Sequence, residues 1–321
     1  MSRILITGAL GFIGSHLCKY LLNQYSEYYP ISIVGMGRDT SSKNKKRLDS
    51  IINHPNFQMI YCDFAKDNLT EYLSDITHVY HLGAKTFVDH SIRDPGPFIE
   101  SNIVGTYNLL EAVRKSKTVI SYVQISTDEV YGPCEDKPHT EESPLNPKNP
   151  YSATKASADL VAMSYYNTYG LPIVLTRTEN IYGPYQGKEK VIPYFTKLCL
   201  EGKPMTLYGD GEQTRRWLHV DDQCSALDKV SIFGKNGEVY NIAGAEEISN
   251  INLAKKIAKV LEVPENIEFI TDRPGHDKRY AIDSTKIRKL GWEPKLTLDT
   301  GFEQTVNWFK DNKWWLKWIL Q

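Results

Sequence analysis

The stretch "ILITGALGFIGSHL", Ile4 to Leu17, runs from a short apolar segment into a helical pattern across three spaced glycines. Glycine in such a turn permits a tight bend and a close approach of the main chain to a pyrophosphate, and the first turn of the following helix presents unpaired N–H groups to the negative charge. The alternative is a glycine-rich turn that binds nothing, but the strand before it and the helix after it favour a dinucleotide site. The residues assigned to that site here are Gly8, Gly11, Phe12, Ile13 and Gly14.

The same alternation of apolar runs and helical patterns continues through the first half of the chain. Helices are expected between the runs, in segments such as "SNIVGTYNLLEAVRKS" and "SATKASADLVAMSYYNTY". The further strand segments are "PISIVGM", "FQMIYCD", "HVYHLGA", "SYVQIST" and "LPIVLTR". Because strands separated by helices form parallel sheets through right-handed crossovers, we predict an α/β protein with a doubly wound Rossmann sheet over residues 1–176.

The pattern changes after Arg177, where turn signals crowd together in "YGPYQG", "LEGKPM", "YGDGEQ" and "GKNGE". This change predicts a smaller and less regular substrate lobe over residues 177–321. The later segment "EVYNIAG" is expected to return to the main sheet, so the two parts interleave. The aromatic and basic segment "TVNWFKDNKWWLKWILQ" is expected to pack Trp308 and Trp315 onto the small lobe, in preference to forming a membrane-surface helix.

Composition limits the partners. The chain has 321 residues, with 38 Lys and Arg against 39 Asp and Glu. This balance offers no general attraction for nucleic acid or an anionic membrane, and no apolar run is long enough to cross a bilayer. The five cysteines and eight histidines show no metal-ligand or redox-pair spacing, so no metal is expected. Free thiols and an N-terminus without a leader pattern favour a cytoplasmic protein.

The end of the second strand bears on the choice of dinucleotide. The segment "IVGMGRDTSSKNKKR" lacks the carboxylate that usually holds the ribose hydroxyls of NAD. Instead Arg38, Ser41 and Ser42 suit a 2′-phosphate, with Asp39 expected to face solvent or pair with a lysine. We therefore predict NADP ahead of NAD, the alternative being a solvated basic loop. The remaining cofactor contacts are expected after the third and fourth strands, at Asp63, Phe64, Leu82 and Ala84.

The stretch "STDEVYG", Ser126 to Gly132, places two carboxylates side by side directly after a strand. Adjacent like charges resist burial, so they need an explanation. A helix capping box formed by Ser126 and Glu129 is one explanation, but "YGP" would end that helix almost at once. We expect Asp128 and Glu129 at the carboxyl edge of the sheet, where open α/β folds bind ligands and where split pKa values would supply one acid and one base.

The stretch "YSATK" places Tyr151 and Lys155 four residues apart on one helical face. A nearby ammonium and a nicotinamide cation would both lower the pKa of a tyrosine, which makes Tyr151 a candidate base near neutral pH. The alternative is two unrelated surface residues, since this spacing is common by chance. Thr127, at the end of a strand of the same sheet, favours the catalytic interpretation.

These motifs carry a resemblance that runs over nearly the whole chain. The sequence resembles the extended short-chain dehydrogenase/reductases, and within them the nucleotide-sugar 4,6-dehydratases of the dTDP-glucose type. The matching segments are "TGALGFIGSHL", "FIESNIVGTYNLLEA", "ISTDEVYG", "NPYSATKASAD", "YGDGEQTRRWLHVDD" and "RPGHDKRYAID". "STDEVYG" is among the most specific, since related epimerases carry small or uncharged residues in place of Asp128 and Glu129.

The resemblance implies a tightly bound NADP or NAD that is regenerated in each turnover. It implies that Tyr151 takes the proton of the sugar 4-hydroxyl, that Thr127 hydrogen-bonds that oxygen, and that Lys155 holds the nicotinamide ribose. It further implies that Glu129 removes the C5 proton and that Asp128 protonates the departing 6-hydroxyl. The residues expected at the nucleotide-diphosphate hexose are Thr86, Asn180, Lys190, Arg215, Asn250, Arg273 and His276.

Several positions depart from that family pattern. Lys85 and Phe87 stand where the dTDP-glucose enzymes tend to have Glu and His. Glu179 stands where they tend to have Ser, and Arg216 where the family often has an acid. These differences leave the hexose and the base open. The alternatives are another sugar-modifying enzyme such as a 4-epimerase, which would need no acid/base pair here, and a catalytically silent dinucleotide-binding module, against which the intact catalytic trio argues.

Two helical segments predict self-association. "SNIVGTYNLLEAV" and "YSATKASADLVAMSYYNTY" bear apolar residues over more surface than one sheet can cover. Related enzymes pair these helices as a four-helix bundle. We therefore expect a homodimer.

Overall fold

The structure is a computed structural model that describes residues 2–25, 30–38, 42–134, 136–272 and 279–317. Its strands are β1 Ser2–Thr7, β2 Ile31–Gly37, β3 Phe57–Tyr61, β4 His78–His81, β5 Ser121–Thr127, β6 Ile173–Thr178, β7 Asn180–Tyr182, β8 Met205–Tyr208, β9 Thr214–His219, β10 Val239–Ile242, β11 Glu247–Ser249 and β12 Ile267–Ile270. Its helices are α1 Phe12–Tyr25, α2 Ser42–Lys46, α3 Val88–Arg93, α4 Gly96–Phe98, α5 Gly105–Lys115, α6 Pro150–Tyr169, α7 Val191–Leu200, α8 Val220–Phe233, α9 Asn250–Leu261, α10 Thr285–Arg288, α11 Leu298–Asp311 and α12 Lys313–Lys317.

The main sheet has seven strands in the order β10-β6-β5-β4-β1-β2-β3, and every neighbouring pair is parallel. The strand order reverses between β1 and β4, which creates the crevice where doubly wound folds bind their ligands. All six predicted strands of the first half form this sheet, so the predicted Rossmann fold is confirmed. The expected return of a later segment is also confirmed, because β10 pairs with β6.

Helices cover both faces of this sheet, which explains why β5 and β6 are buried at every position. On one face α1 and α8 bury residues such as Leu17 and Leu227 against the sheet. On the other face α5 and α6 bury residues such as Leu109 and Ala162. None of the helices given above combines the length and the apolar character that a bilayer crossing requires.

The smaller lobe contains a three-stranded sheet, β11-β9-β7, and a two-stranded sheet, β12-β8. Its core is built from α7, α9, α11 and the aromatic segment near the C-terminus. Trp315 is fully buried in this core and Trp308 is partly buried against it, as predicted. The five cysteines are free and buried. The division at residues 176 and 177 stays a prediction, since β10 and α8 of the second half belong to the main sheet and its covering layer.

Candidate active site

The glycine-rich turn lies between β1 and α1 and packs directly against the end of β4. Gly8 has φ +70°, and a Cβ built on it would lie 3.0 Å from the main chain of Leu82 and Gly83. A Cβ on Gly14 would lie 2.3 Å from the carbonyl oxygen of Gly8. Because no side chain fits at either position, the turn offers only main chain at the head of α1, which suits a pyrophosphate.

The end of β2 lies beside the residues that follow β3. Arg38 Nη1 lies 3.7 Å from Asp63 Oδ2, and both side chains are partly exposed. Phe64 is buried in the core, where its ring leaves no room for a Cβ on Gly83 or Gly105. Ser41 lies outside the described residues, as does Asp39.

The carboxylate pair stands at the carboxyl edge of the sheet, as expected. β5 ends at Thr127, and Asp128–Tyr131 forms a single 3₁₀ turn. The Thr127 hydroxyl accepts a hydrogen bond from the Glu129 N–H at 3.3 Å and donates one to Asp128 Oδ1 at 3.1 Å. The alternative of a Ser126 capping box does not form, because Thr127 is the residue that caps this turn.

The two carboxylates have different environments. Asp128 is buried, and burial together with the charge of Glu129 raises its pKa to about 7. The guanidinium of Arg215 acts in the opposite direction. Glu129 is less buried and accepts a hydrogen bond from the Asn149 side-chain amide at 3.4 Å. An Asp128 carboxyl that holds its proton near neutral pH is suited to donate it.

Tyr151 owes its position to the start of α6. Asn149 caps this helix, Pro150 occupies its first turn, and the Tyr151 N–H donates to Ser91 Oγ at 3.1 Å. The Tyr151 side chain is buried, and the Thr127 hydroxyl lies near enough to act on the pKa of its phenol, so the structure brings the two predicted residues together.

The pKa of Tyr151 differs from expectation. Burial and the charges of Glu129 and Asp128 raise it well above the ordinary value for tyrosine. In the protein without a bound dinucleotide, the prediction that the Lys155 ammonium lowers the pKa of Tyr151 is wrong. Lys155 Nζ instead donates to the Ile125 carbonyl on β5, at 2.6 Å. The positive nicotinamide of a bound dinucleotide would lower the pKa of Tyr151.

Lys155 belongs to a buried network of charged side chains that also contains Asp159 and Arg177. Burial lowers its pKa, and the carboxylate of Asp159, one helical turn further on, opposes that effect. Asp159 in turn forms an ion pair with Arg177 at 3.1 Å, and both side chains are buried. Arg177 Nη1 donates to the Tyr131 hydroxyl at 2.8 Å, which ties this network to the turn that carries the carboxylate pair.

The predicted substrate residues surround this edge only in part. Lys190 precedes α7, with its ammonium 5.7 Å from the centre of the Phe87 ring, and exposed Thr86 is next to that phenylalanine. Arg215 lies in β9, with its guanidinium 4.9 Å from the Tyr280 ring. Asn180 begins β7 and Asn250 begins α9. Arg273 and His276 lie outside the described residues.

Sequence reasoning missed Ser91 and Asn102, and it noted Glu179 only as a departure from the family pattern. Ser91 holds the main chain of Tyr151, as described above. Asn102 accepts a hydrogen bond from the Lys85 N–H at 2.8 Å and donates to Thr154 at 3.0 Å, which fixes the loop after β4 against α6. Glu179 is buried at the same sheet edge. The only signal for Asn102 was its place inside the matching segment "FIESNIVGTYNLLEA".

The sheet and its catalytic edge define an extended short-chain dehydrogenase/reductase. The family model for GDP-mannose 4,6 dehydratase matches residues 5–305. The chain therefore belongs to the GDP-mannose 4,6 dehydratase family, and the resemblance seen in the sequence is confirmed.

Individual relatives agree with this membership. The low-salt glycan biosynthesis protein Agl12 of Haloferax volcanii is 42% identical, over 95% of this chain and 98% of its own length. The dTDP-glucose 4,6-dehydratase of Neisseria meningitidis serogroup B is 41% identical, over 98% of this chain and 95% of its own. The crystal structure of dTDP-glucose 4,6-dehydratase from Bacillus anthracis in complex with NAD superposes with a TM-score of 0.90 at 42% identity, covering 99% of this chain and 100% of the other.

Proposed function

We propose that this protein is a nucleotide-diphosphate hexose 4,6-dehydratase that forms a 4-keto-6-deoxyhexose. The observation that carries the proposal is the carboxylate pair Asp128 and Glu129, placed directly after Thr127 and electrostatically coupled to Tyr151. A dehydration between C5 and C6 needs one base and one acid on neighbouring carbons, and this edge supplies both. The dinucleotide supplies redox chemistry only, since it takes a hydride from C4 and returns it to C6.

The first step belongs to the residues around Tyr151. Its phenolate takes the proton of the 4-hydroxyl while the C4 hydrogen leaves as hydride, and Thr127 hydrogen-bonds the same oxygen. Lys155 holds the ribose next to the nicotinamide. The resulting 4-ketone acidifies the C5 proton, which makes the following elimination possible.

The second step belongs to the carboxylate pair. Glu129 removes the C5 proton, and Asp128 gives its proton to the 6-hydroxyl, which leaves as water. The raised pKa of Asp128, about 7, supports the acid role. Hydride return to C6 with protonation at C5 completes the 4-keto-6-deoxy product.

The sugar nucleotide is proposed to lie between the catalytic edge and the small lobe. Arg215 and Lys190 supply positive charge for the diphosphate, with Asn180 and Asn250 as hydrogen-bonding partners. Arg273, His276 and Thr86 stay predictions for the diphosphate and the sugar. The relatives named above favour dTDP-glucose, and the departures at Lys85 and Phe87 are the positions where this chain would differ.

For the cofactor we propose NADP in preference to NAD. The structure of the Bacillus anthracis relative contains NAD, so that comparison supports a nicotinamide dinucleotide and gives no support to the 2′-phosphate. The proposal rests on Arg38, whose guanidinium lies at the end of β2 without a carboxylate in that strand. Mass spectrometry of the dinucleotide released by denaturation is the test, and NAD alone in that extract would contradict the proposal.

A homodimer is proposed from exposed apolar side chains around α5 and α6. They are Ile99, Val104, Tyr107 and Leu160. Such a patch on two adjacent helices favours pairing with a second copy. Sedimentation that shows a monomer at micromolar concentration would contradict this proposal. The cytoplasmic location expected from the free cysteines stays a prediction.

The function is tested by incubating the purified protein with a panel of nucleotide-diphosphate hexoses. A 4-keto-6-deoxy product absorbs in alkali, and its mass is lower than that of the substrate by one water. A product of unchanged mass with inverted C4 would instead show a 4-epimerase. No turnover of any hexose nucleotide, with the dinucleotide bound, would favour a silent module.

A further inference from the structure

Glu179 occupies a position equivalent to that of Asp128 on the neighbouring strand. Thr127 pairs with Thr178 in the β5–β6 register, so Asp128 and Glu179 are the next residues of adjacent parallel strands. Glu179 is only 3% exposed, and a carboxylate is rarely buried so completely unless it is paired. The proposed reaction requires one acid and one base, which leaves Glu179 without a chemical task.

The Glu179 carboxyl binds two main-chain groups from distant parts of the chain. One oxygen accepts a hydrogen bond from the Ile282 N–H at 3.1 Å, and the other accepts one from the Gly244 N–H at 3.3 Å. Gly244 follows β10, and Ile282 lies in the segment that precedes α10. One side chain therefore joins the catalytic sheet edge to two segments that approach it from the second half of the chain.

These two segments support the turn that carries the carboxylate pair. Ile282 and Ala243, which is next to Gly244, are fully buried. They form a small core cluster with Val130 and Tyr131, the residues that immediately follow Glu129. The two segments whose N–H groups bind Glu179 thus pack against the 128–131 turn.

Arg216 completes this arrangement from the opposite side. Its Nη1 donates to the Ile282 carbonyl oxygen at 3.4 Å, so Glu179 and Arg216 bind the N–H and the C=O of the same residue. Burial and the charge of Asp128 raise the pKa of Glu179, and the guanidinium of Arg216 acts against both. Glu179 and Arg216 are also two of the positions at which the sequence departs from its family pattern.

We propose that Glu179 is a positioning residue of the elimination step, which holds Ile282 and Gly244 against the turn bearing Asp128 and Glu129, with Arg216 as its counterpart on Ile282. This inference rests on the proposed dehydratase function. It assigns Glu179 no contact with the sugar and no proton transfer. Its loss should therefore displace the acid/base pair while leaving Tyr151 and Thr127 in place.

The test is a single-turnover comparison of the wild-type protein and Glu179→Gln, each with its bound dinucleotide and the sugar nucleotide that the wild type dehydrates. Gln keeps the size of the side chain but replaces one acceptor oxygen by a donor, which faces a main-chain N–H. Oxidation at C4 should keep its rate to within about twofold, and elimination should slow by roughly 10- to 100-fold, the usual effect of misplacing a catalytic group by about 1 Å. The reduced dinucleotide should therefore accumulate transiently.

Glu141→Gln is the matched control, because Glu141 also accepts a main-chain hydrogen bond, from Asn241 N–H of β10 at 2.9 Å. It should show no such accumulation. The inference would be overturned if the reduced dinucleotide accumulated in Glu179→Gln no more than in wild type. Equal losses in the rates of oxidation and elimination would also overturn it. If Glu179→Gln does not fold, Glu179→Asp, which shortens the tether by one methylene, is judged by the same criterion.

Hydrogen exchange separates this inference from the proposed function, because it needs no substrate. In Glu179→Gln the Ile282 and Gly244 amides, and those of the 128–131 turn, should exchange at least about tenfold faster than in wild type, as expected when a local tether is lost. Unchanged exchange would refute the proposal that Glu179 holds Ile282 and Gly244 against the turn, even in an active enzyme. An inactive wild type with faster exchange in the variant would refute the dehydratase assignment and keep the tether.

Discussion

The two ends of the site hold their side chains in different ways. At the catalytic edge Tyr151, Lys155 and Asp128 are buried, and each is bonded to a fixed neighbour. At the end of β2, the Arg38 side chain is 41% exposed, and its Nη1 lies 3.7 Å from Asp63 Oδ2. Burying a polar group is unfavourable unless it is paired, so the catalytic edge tolerates few changes. The proposed chemistry thus depends on buried groups, whereas the proposed choice of dinucleotide depends on one exposed side chain.

Tyr151→Phe should have the largest effect, since it removes the base proposed to take the 4-hydroxyl proton. We expect a loss in kcat of roughly 10⁴-fold, near the upper end for general base catalysis. Single-turnover formation of the reduced dinucleotide is the measurement. Tyr165→Phe, on the same helix α6, removes a hydroxyl that bonds Glu111 and should keep near-normal rates. Near-normal turnover in Tyr151→Phe would sink the assignment of the base.

Glu129→Gln and Asp128→Asn should separate the two halves of the elimination, each with a loss of roughly 10²–10³-fold in turnover. Glu129→Gln should block exchange of the C5 proton with solvent deuterium, while C4 oxidation stays measurable. Asp128→Asn should still exchange C5 but expel water slowly. Mass spectrometry of the sugar in deuterated water distinguishes them. If both variants kept full activity, the pair would be structural.

Arg38→Ala tests the proposal that Arg38, at the end of β2, recognises the 2′-phosphate of NADP. It should weaken NADP binding by roughly 1.5–3 kcal/mol, the usual contribution of a hydrogen bond to a charged group, and leave NAD binding nearly unchanged. Titration calorimetry on protein stripped of its dinucleotide is the measurement. Lys45→Ala is the control, since it removes another positive charge from the segment after β2. Equal weakening of NAD and NADP would show that Arg38 does not recognise the 2′-phosphate.

The smallest effect is on stability and follows from the raised pKa of Asp128. Its pKa is about 7 in the folded protein against an ordinary value of 3.8, so the folded state binds this proton more tightly than the unfolded state. The resulting stabilisation is fully present below pH 3.8 and is lost as the pH rises through about 7.

Asp128→Asn, which stays neutral, should therefore melt close to wild type at about pH 4 and above it at about pH 8. For a chain of this size, each kcal/mol gained raises the melting temperature by roughly 1–2 °C. Thermal unfolding of both proteins at the two pH values is the measurement. A variant that is less stable than wild type at the higher pH would show that Asp128 is held there in its charged form.

Most of the fold and the centre of the site were predictable because their signals are local. Alternating strands and helices predicted the first six strands of the main sheet, and the spacing of Tyr151 and Lys155 predicted one helical face. Asn102, which sequence reasoning missed, and Glu179, which it noted only as a departure from the family pattern, act through contacts with main chain far away in sequence. No local pattern marks such partners. The raised pKa of Tyr151 was mispredicted for the same reason, because it depends on which groups surround the buried hydroxyl.

Because β10 lies far after β6 in the sequence, the main sheet is incomplete during part of synthesis on the ribosome. β6 is buried along its whole length, and the strand that covers its outer side is made only when residues 239–242 emerge. Until then a nascent chain carries an apolar strand with open N–H and C=O groups, the kind of edge that recruits other chains. A gene fragment ending shortly after β6, past residue 178, would keep that edge permanently. We expect such a fragment to aggregate during expression, and one extended past β10 and α8 to resist aggregation better.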